Sequence, residues 1–200
     1  VDIKGYPLSS YIPGGRNAGR VEQVHGGVSR NVAEDIANVE LRPTFVGLVD
    51  DTGMGQDVID KLSNHKVNTK FIQRVPDGMG TWLAIFDNDG DVCAAISKRP
   101  DTAPLTKLLE EQGDCFVCNQ QEAGLLFSDD YGHLEPAEMC KVLAANVKSA
   151  NIPCMVVTMG DKGAVYAHAD GDCGIVPAKK VDVIDTTGAG DAFFAGTVIG

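Results

Sequence analysis

Asp191 is the residue in this sequence best placed to do chemistry. It follows Gly188-Ala189-Gly190 and opens the apolar run Ala192 to Ile199, which reads as a helix. Upstream, Val181 to Ile184 is rich in β-branched residues and is expected to be a strand, with Thr186 and Thr187 starting the turn. A strand, a glycine-rich turn and a helix present unpaired backbone N–H groups to an anion. Glycine lets the main chain come close to that anion. A carboxylate is out of place in a loop that only holds phosphate. It has a use if it takes the proton of an attacking hydroxyl, as phosphoryl transfer requires. The plain alternative is a helix N-cap, for which Asp is favoured. No Gly-Lys-Ser/Thr follows, so this is not a Walker A loop.

Three more stretches have residue types suited to such a reaction. Gly26-Gly27 precedes a helical run, with Asn31 four residues on. Paired glycines admit a ligand, and an amide both donates to and accepts from sugar hydroxyls; the bland reading is a tight turn with a surface Asn. Asn119-Gln120-Gln121-Glu122 follows a strand-like run, and simple helix capping would account for it. Thr158-Met159-Gly160-Asp161-Lys162-Gly163 can cradle a nucleotide phosphate. As Asp-Lys-Gly alone it would suggest a hairpin turn.

The 185–196 stretch, DTTGAGDAFFAG, resembles the C-terminal signature of the PfkB/ribokinase family of sugar and nucleoside kinases. The resemblance implies that Asp191 is the catalytic base and that the amides of Gly188, Ala189 and Gly190 form the anion hole. His25-GGVSRNVAE resembles the N-terminal signature, in the form most similar to pseudouridine kinases; it implies that Gly26, Gly27 and Asn31 bind the sugar. Asp2 matches the family Asp that grips sugar hydroxyls. Asn119 and Glu122 match the Asn-x-x-Glu motif that organises Mg²⁺ and phosphate, largely through water. Thr158, Gly160 and Gly163 match the nucleotide-binding turn. Asp185 and Thr187 match positions that help hold a monovalent cation, K⁺. A strand-terminal Asp satisfying turn amides is an equally good reading there. Glu40 and Asp50 depart from the pattern, which usually has Gly or a small residue, and are read as structural variation.

The fold so implied is α/β: a ribokinase-like three-layer α/β/α sandwich with a small β-sheet lid, built from about 1–24 and 79–97. The elements agree. Short strands are expected at Val1 to Ile3, Val21 to Val24, Thr44 to Val49, Lys70 to Arg74, Cys115 to Cys118, Met155 to Thr158 and Val165 to His168. Gly80 to Asp87 and Asp91 to Ile96 flank Asn88-Asp89-Gly90, a strong hairpin signal. Helices are expected at Val32 to Val39, Val58 to His65, 104–112, Glu135 to Ala150 and Ala192 to Ile199. Residues 1–200 then make one kinase domain. Compared with the family, segments near Gly113-Asp114 and beyond Gly200 are expected to be missing, and Val1 to follow a missing start.

Composition fits. The chain has 200 residues, 44% hydrophobic, and a net charge of −11. That charge argues against a nucleic-acid partner, and no apolar run reaches membrane-spanning length. Six scattered cysteines read as buried free thiols of a reducing cytoplasm, and Cys115-Phe-Val-Cys118 as a poor zinc site, because strand positions three apart face opposite ways. The expected activity is ATP- and Mg²⁺-dependent phosphorylation of a sugar or nucleoside hydroxymethyl group, pseudouridine first, by a homodimer paired through the lid. The competing readings are a kinase for another sugar or nucleoside, and a truncated, non-catalytic nucleoside binder. A phosphate-handling enzyme of another family would have no reason to keep Gly26-Gly27-Asn31.

Overall fold

The computed structural model describes residues 1–100, 113–183 and 186–200. The helix expected at 104–112 lies outside these residues. The chain divides into two compact units, one of Val1–Leu105 with Gly188–Gly200 and one of Thr106–Thr187.

The first unit opens with β1 (Asp2–Pro7) and β2 (Gly19–Val24), which pair antiparallel with Asp2 opposite Val24. The expected hairpin forms as β5 (Thr81–Phe86) and β6 (Val92–Lys98), and β5 runs parallel to β1. The four-stranded sheet has the order β2-β1-β5-β6. Directly opposed residues share a face, so Ile3, Leu83 and Ile96 line up on one side of the sheet. Asp2 and Trp82 lie on the other. β1 is longer than the expected Val1 to Ile3, because Gly5 finds ladder partners on both sides and Tyr6 one on β2.

In the same unit, α1 (Val28–Asn38) leads to β3 (Thr44–Val49), α2 (Gly53–Asn64) and β4 (Asn68–Arg74), with β3 and β4 parallel. Both helices start earlier than expected, α1 by four residues and α2 by five. Their first turns hold polar residues and glycines rather than the apolar repeat used to find them. α2 buries Val58 and Leu62, one turn apart, against Val49, Val67 and Met79. α1 ends at Asn38 with Val39 as its C-cap, and Glu40 follows at φ 67°. The chain leaves the helix through the left-handed region, which favours Gly and costs a side-chain-bearing residue about 1 kcal/mol. The unit closes with α5 (Ala189–Ile199).

The second unit is a sheet of order β10-β9-β8-β7. Its strands are β7 (Phe116–Asn119), β8 (Cys154–Thr158), β9 (Ala164–His168) and β10 (Cys173–Val176). Helices α3 (Gln120–Phe127) and α4 (Pro136–Ala150) connect β7 to β8, which run parallel. α4 places Met139, Leu143 and Val147 on one stripe against Met155, Val157, Val165 and Ala167, all fully buried. Val181 to Val183, expected in a strand, are not one. They are exposed and pair with no strand among the described residues, and a strand needs a ladder partner. All six cysteines are free, but only Cys118 is buried. Cys93, Cys115 and Cys173 are exposed, and Cys140 and Cys154 lie between.

Candidate active site

Packing of α1 on α5 builds the centre of the first unit's site. Val32 and Ile36, one helical turn apart on α1, bury against Ala195 and Phe194 of α5. That contact brings the first turns of the two helices together. Asn31 Nδ2 then donates to Asp191 Oδ2 at 2.6 Å, joining residues 160 positions apart. The ordinary-cap reading of Asp191 fails. Gly188, at φ 78°, holds the N-cap position of α5 without a side-chain bond, and Asp191 is the third helical residue.

The turn is shaped as an anion site requires. The first intrahelical bond runs from Ala192 N to Gly188 O, so the preceding amides have no carbonyl within the helix. A Cβ on Gly188 or Gly190 would meet nothing within 4 Å; there is open space over the turn.

The residues that the sequence matches to sugar binding assemble around the start of α1. β2 ends opposite Asp2, so the chain passes the Asp2 carboxylate as it enters Gly26. A Cβ on Gly26 would sit 2.2 Å from Asp2 Oδ2; only glycine fits. Gly27, at φ 108°, is the N-cap of α1 and sets the helix direction that carries Asn31.

Arg30 is the residue that sequence reasoning passed over. Its side chain is buried, yet it carries a full charge. Nε donates to Gly26 O at 3.3 Å, and one terminal nitrogen donates to His25 O at 2.5 Å and also to Asn31 Oδ1. The other terminal nitrogen pairs with Glu34, one turn along α1; this is a close ion pair without well-directed hydrogen bonds. Arg30 therefore ties the glycine turn to the helix. It also fixes the Asn31 amide, because a guanidinium can only donate: Oδ1 must face Arg30 and Nδ2 must face Asp191. The signal available was an Arg beside the motif Asn; its burial was not visible.

The remaining residues belong to the second unit. Asn119 and Thr158 are neighbours in register at the ends of parallel β7 and β8. Thr158 Oγ1 donates to Cys118 O at 3.4 Å. Gly160 (φ 60°) and Gly163 (φ 101°) bracket a short 3₁₀ turn, and a Cβ on Gly163 would meet Val176 O at 2.0 Å. Asn119 and Glu122 form a reciprocal capping box: Glu122 N donates to Asn119 Oδ1, and Asn119 N to Glu122 Oε2, both at 2.9 Å. Their oxygens, one amide and one carboxylate, suit a hard cation that keeps most of its waters. Among the described residues, no group of three His, Cys, Asp or Glu side chains converges as a protein-made metal cage would. Asp185 lies outside the described residues, and Thr187 is an exposed turn residue. No helix among the described residues is long and apolar enough to cross a membrane.

Comparison with known proteins gives the family. The model of the pfkB family of carbohydrate kinases matches residues 1–113 and 97–200. Guanosine-inosine kinase of Exiguobacterium acetylicum is 29% identical over 252 aligned residues, covering 98% of this chain and 82% of the relative. Pseudouridine kinase of Escherichia coli K12 is 22% identical over 247, covering 98% and 79%. The solved structure of Arabidopsis thaliana ribokinase complexed with ribose and ATP has a TM-score of 0.75 at 16% identity, covering 99% of this chain and 81% of that one. The fold is thus ribokinase-like, and the chain belongs to the pfkB family of carbohydrate kinases, as a sugar or nucleoside kinase.

Proposed function

We propose that this kinase transfers the γ-phosphoryl group of ATP to the hydroxymethyl group of a nucleoside, with Asp191 as the base. The observation that carries this reading is the 2.6 Å bond from Asn31 to Asp191, which ties the sugar-side motif to the turn that would hold the phosphoryl group. With Oδ2 engaged by Asn31, Oδ1 takes the proton of the acceptor hydroxyl. The freed oxygen attacks the γ-phosphorus, and the bond to ADP breaks. The amides of Gly188, Ala189 and Gly190 bear on the charge of the transferring group. Asp2, Gly26, Gly27 and Asn31 hold the sugar ring. Thr158, Gly160 and Gly163 hold the nucleotide. Asn119 and Glu122 hold Mg²⁺ through water, and the ion, when bound, neutralises phosphate charge.

Two nucleoside kinases among the relatives support a nucleoside acceptor, guanosine-inosine kinase with the higher identity and pseudouridine kinase with the lower. The sheet β2-β1-β5-β6 serves as the lid, with Asp2 on its inner face. Its outer face exposes Val21, Leu83 and Ile96 and pairs with a second copy of the chain. The test is ADP release with Mg·ATP and guanosine, inosine, pseudouridine or ribose. Turnover with a nucleoside above ribose is expected; turnover with ribose alone would overturn the acceptor class.

A further inference from the structure

Two thiols in the second unit come together away from every residue assigned above. Cys115 stands one residue ahead of the Phe116–Met155 pair, and Cys154 one residue ahead on the adjoining strand, so the two are direct neighbours on parallel strands. Their Sγ atoms are 3.4 Å apart, although the residues are 39 apart in sequence. On the other side of Cys154, in register on β9, is His168, with Nε2 at 3.9 Å from Cys154 Sγ. Cys115, Cys154 and His168 thus form one row across three strands. Cys115 is exposed and Cys154 half-buried, and both line a cleft of about 270 Å³ with Phe116, Leu126, Ile152 and Pro153.

We infer that Cys115 and Cys154 are a redox-active dithiol, with Cys154 the attacking sulfur and Cys115 the resolving one, which a small disulfide such as glutathione disulfide closes to an intramolecular bond. The two cysteines are not equivalent. The Cys115 thiol donates to Cys154 Sγ. Burial and that same contact push the Cys115 pKa up to about 12, which keeps its own proton in place. His168, in the tautomer with Nε2 unprotonated, accepts the Cys154 proton.

The steps balance as thiol–disulfide exchange. The Cys154 thiolate attacks one sulfur of glutathione disulfide; that S–S bond breaks, and one glutathione leaves with the electron pair and takes up a proton. Cys115 then loses its proton and attacks the Cys154 sulfur of the mixed disulfide, releasing the second glutathione. The two protein thiols are oxidised by two electrons, and the glutathione disulfide is reduced to two thiols. Neighbouring strand positions lie within the Cα separation that a disulfide spans. Closure pins the start of β7 to the start of β8, the strands that end at Asn119 and Thr158.

The test is incubation of the whole chain with glutathione disulfide, followed by proteolysis without reductant and mass spectrometry. A cross-linked peptide pair joining Cys115 to Cys154, lighter by two hydrogens, is expected. Cys115→Ser should trap glutathione on Cys154. Cys154→Ser should slow labelling of Cys115 by roughly 10-fold or more, because its thiolate is scarce. Stable glutathione on both cysteines of the unaltered chain, or both left as free thiols, would overturn the inference. So would equal labelling rates in the two variants. Serine is nearly isosteric, and the mapping on the unaltered chain needs no variant to fold.

Discussion

Asn31 and Asp191 meet at 2.6 Å, one from the first turn of α1 and the other from the first turn of α5. Neither side chain sets its own direction. Asn31 is turned by Arg30, and Asp191 is carried by a helix whose cap is a left-handed glycine. The Asp191 carboxylate is thereby held by packing of two helices rather than by a loop. Several outcomes depend on that arrangement.

Arg30→Ala should lower both stability and turnover. It leaves Glu34 half-buried beside Lys61, whose Nζ is 3.8 Å away, and breaking a buried pair costs about 3–5 kcal/mol. It also frees the Asn31 amide to rotate. Chemical denaturation of Arg30→Ala and of the Arg30→Ala/Glu34→Ala double variant checks the first effect. The double variant should recover part of the stability and none of the turnover.

Glu122 has a structural use that must be separated from a metal use. Gln at the same position can accept the Asn119 N–H and keep the capping box. Glu122→Gln should therefore melt within a few degrees of the unaltered chain while needing more Mg²⁺ for half-maximal turnover. Glu122→Ala should lose the cap as well, about 1 kcal/mol. If Glu122→Gln leaves the Mg²⁺ dependence unchanged, the residue is a cap alone.

Glu40→Gly should stabilise the chain by about 1 kcal/mol, because φ 67° is then free of side-chain strain. The gain is offset in part by the larger entropy of an unfolded glycine. Thermal unfolding reads the sign directly; a lower midpoint would refute the strain argument.

Asp50 gives the chain an acid-sensitive contact. Its Oδ1 accepts from Thr52 Oγ1 at 2.6 Å and Thr52 N at 3.0 Å, and these bonds hold its carboxyl below the usual range. A depressed folded pKa contributes stability above the unfolded value, about 3.9, that is lost as pH falls through the folded one. The stability difference between the unaltered chain and Thr52→Val should accordingly be present at neutral pH and shrink below pH about 4. A difference that stays constant with pH would contradict this.

Much of this was legible from the sequence where patterns are local. The β3 run Thr44 to Val49 and the hairpin around Asn88-Asp89-Gly90 were expected from residue type alone and are present. The start of α1 was not, because Val28-Ser29-Arg30 has no apolar repeat; Gly27 begins that helix by its backbone angles. β10 was missed since Cys-Gly-Ile-Val is short and largely exposed. Val181 to Val183 had strand-like residues without a partner. Two features lay beyond any reading of spacing: the burial of Arg30, and the meeting of Cys115 with Cys154, which depends on the β7–β8 register. Cys115 with Cys118 was the pair that spacing suggested.

The most direct test of the account is steady-state turnover of Asp191→Asn with Mg·ATP and the preferred nucleoside, beside calorimetric binding of that nucleoside. Asn can still accept from Asn31 Nδ2 but cannot take a proton. The account predicts a fall in kcat of roughly 10²–10⁴-fold with nucleoside binding retained. A variant that turns over within a few-fold of the unaltered chain would show that Asp191 is not the base.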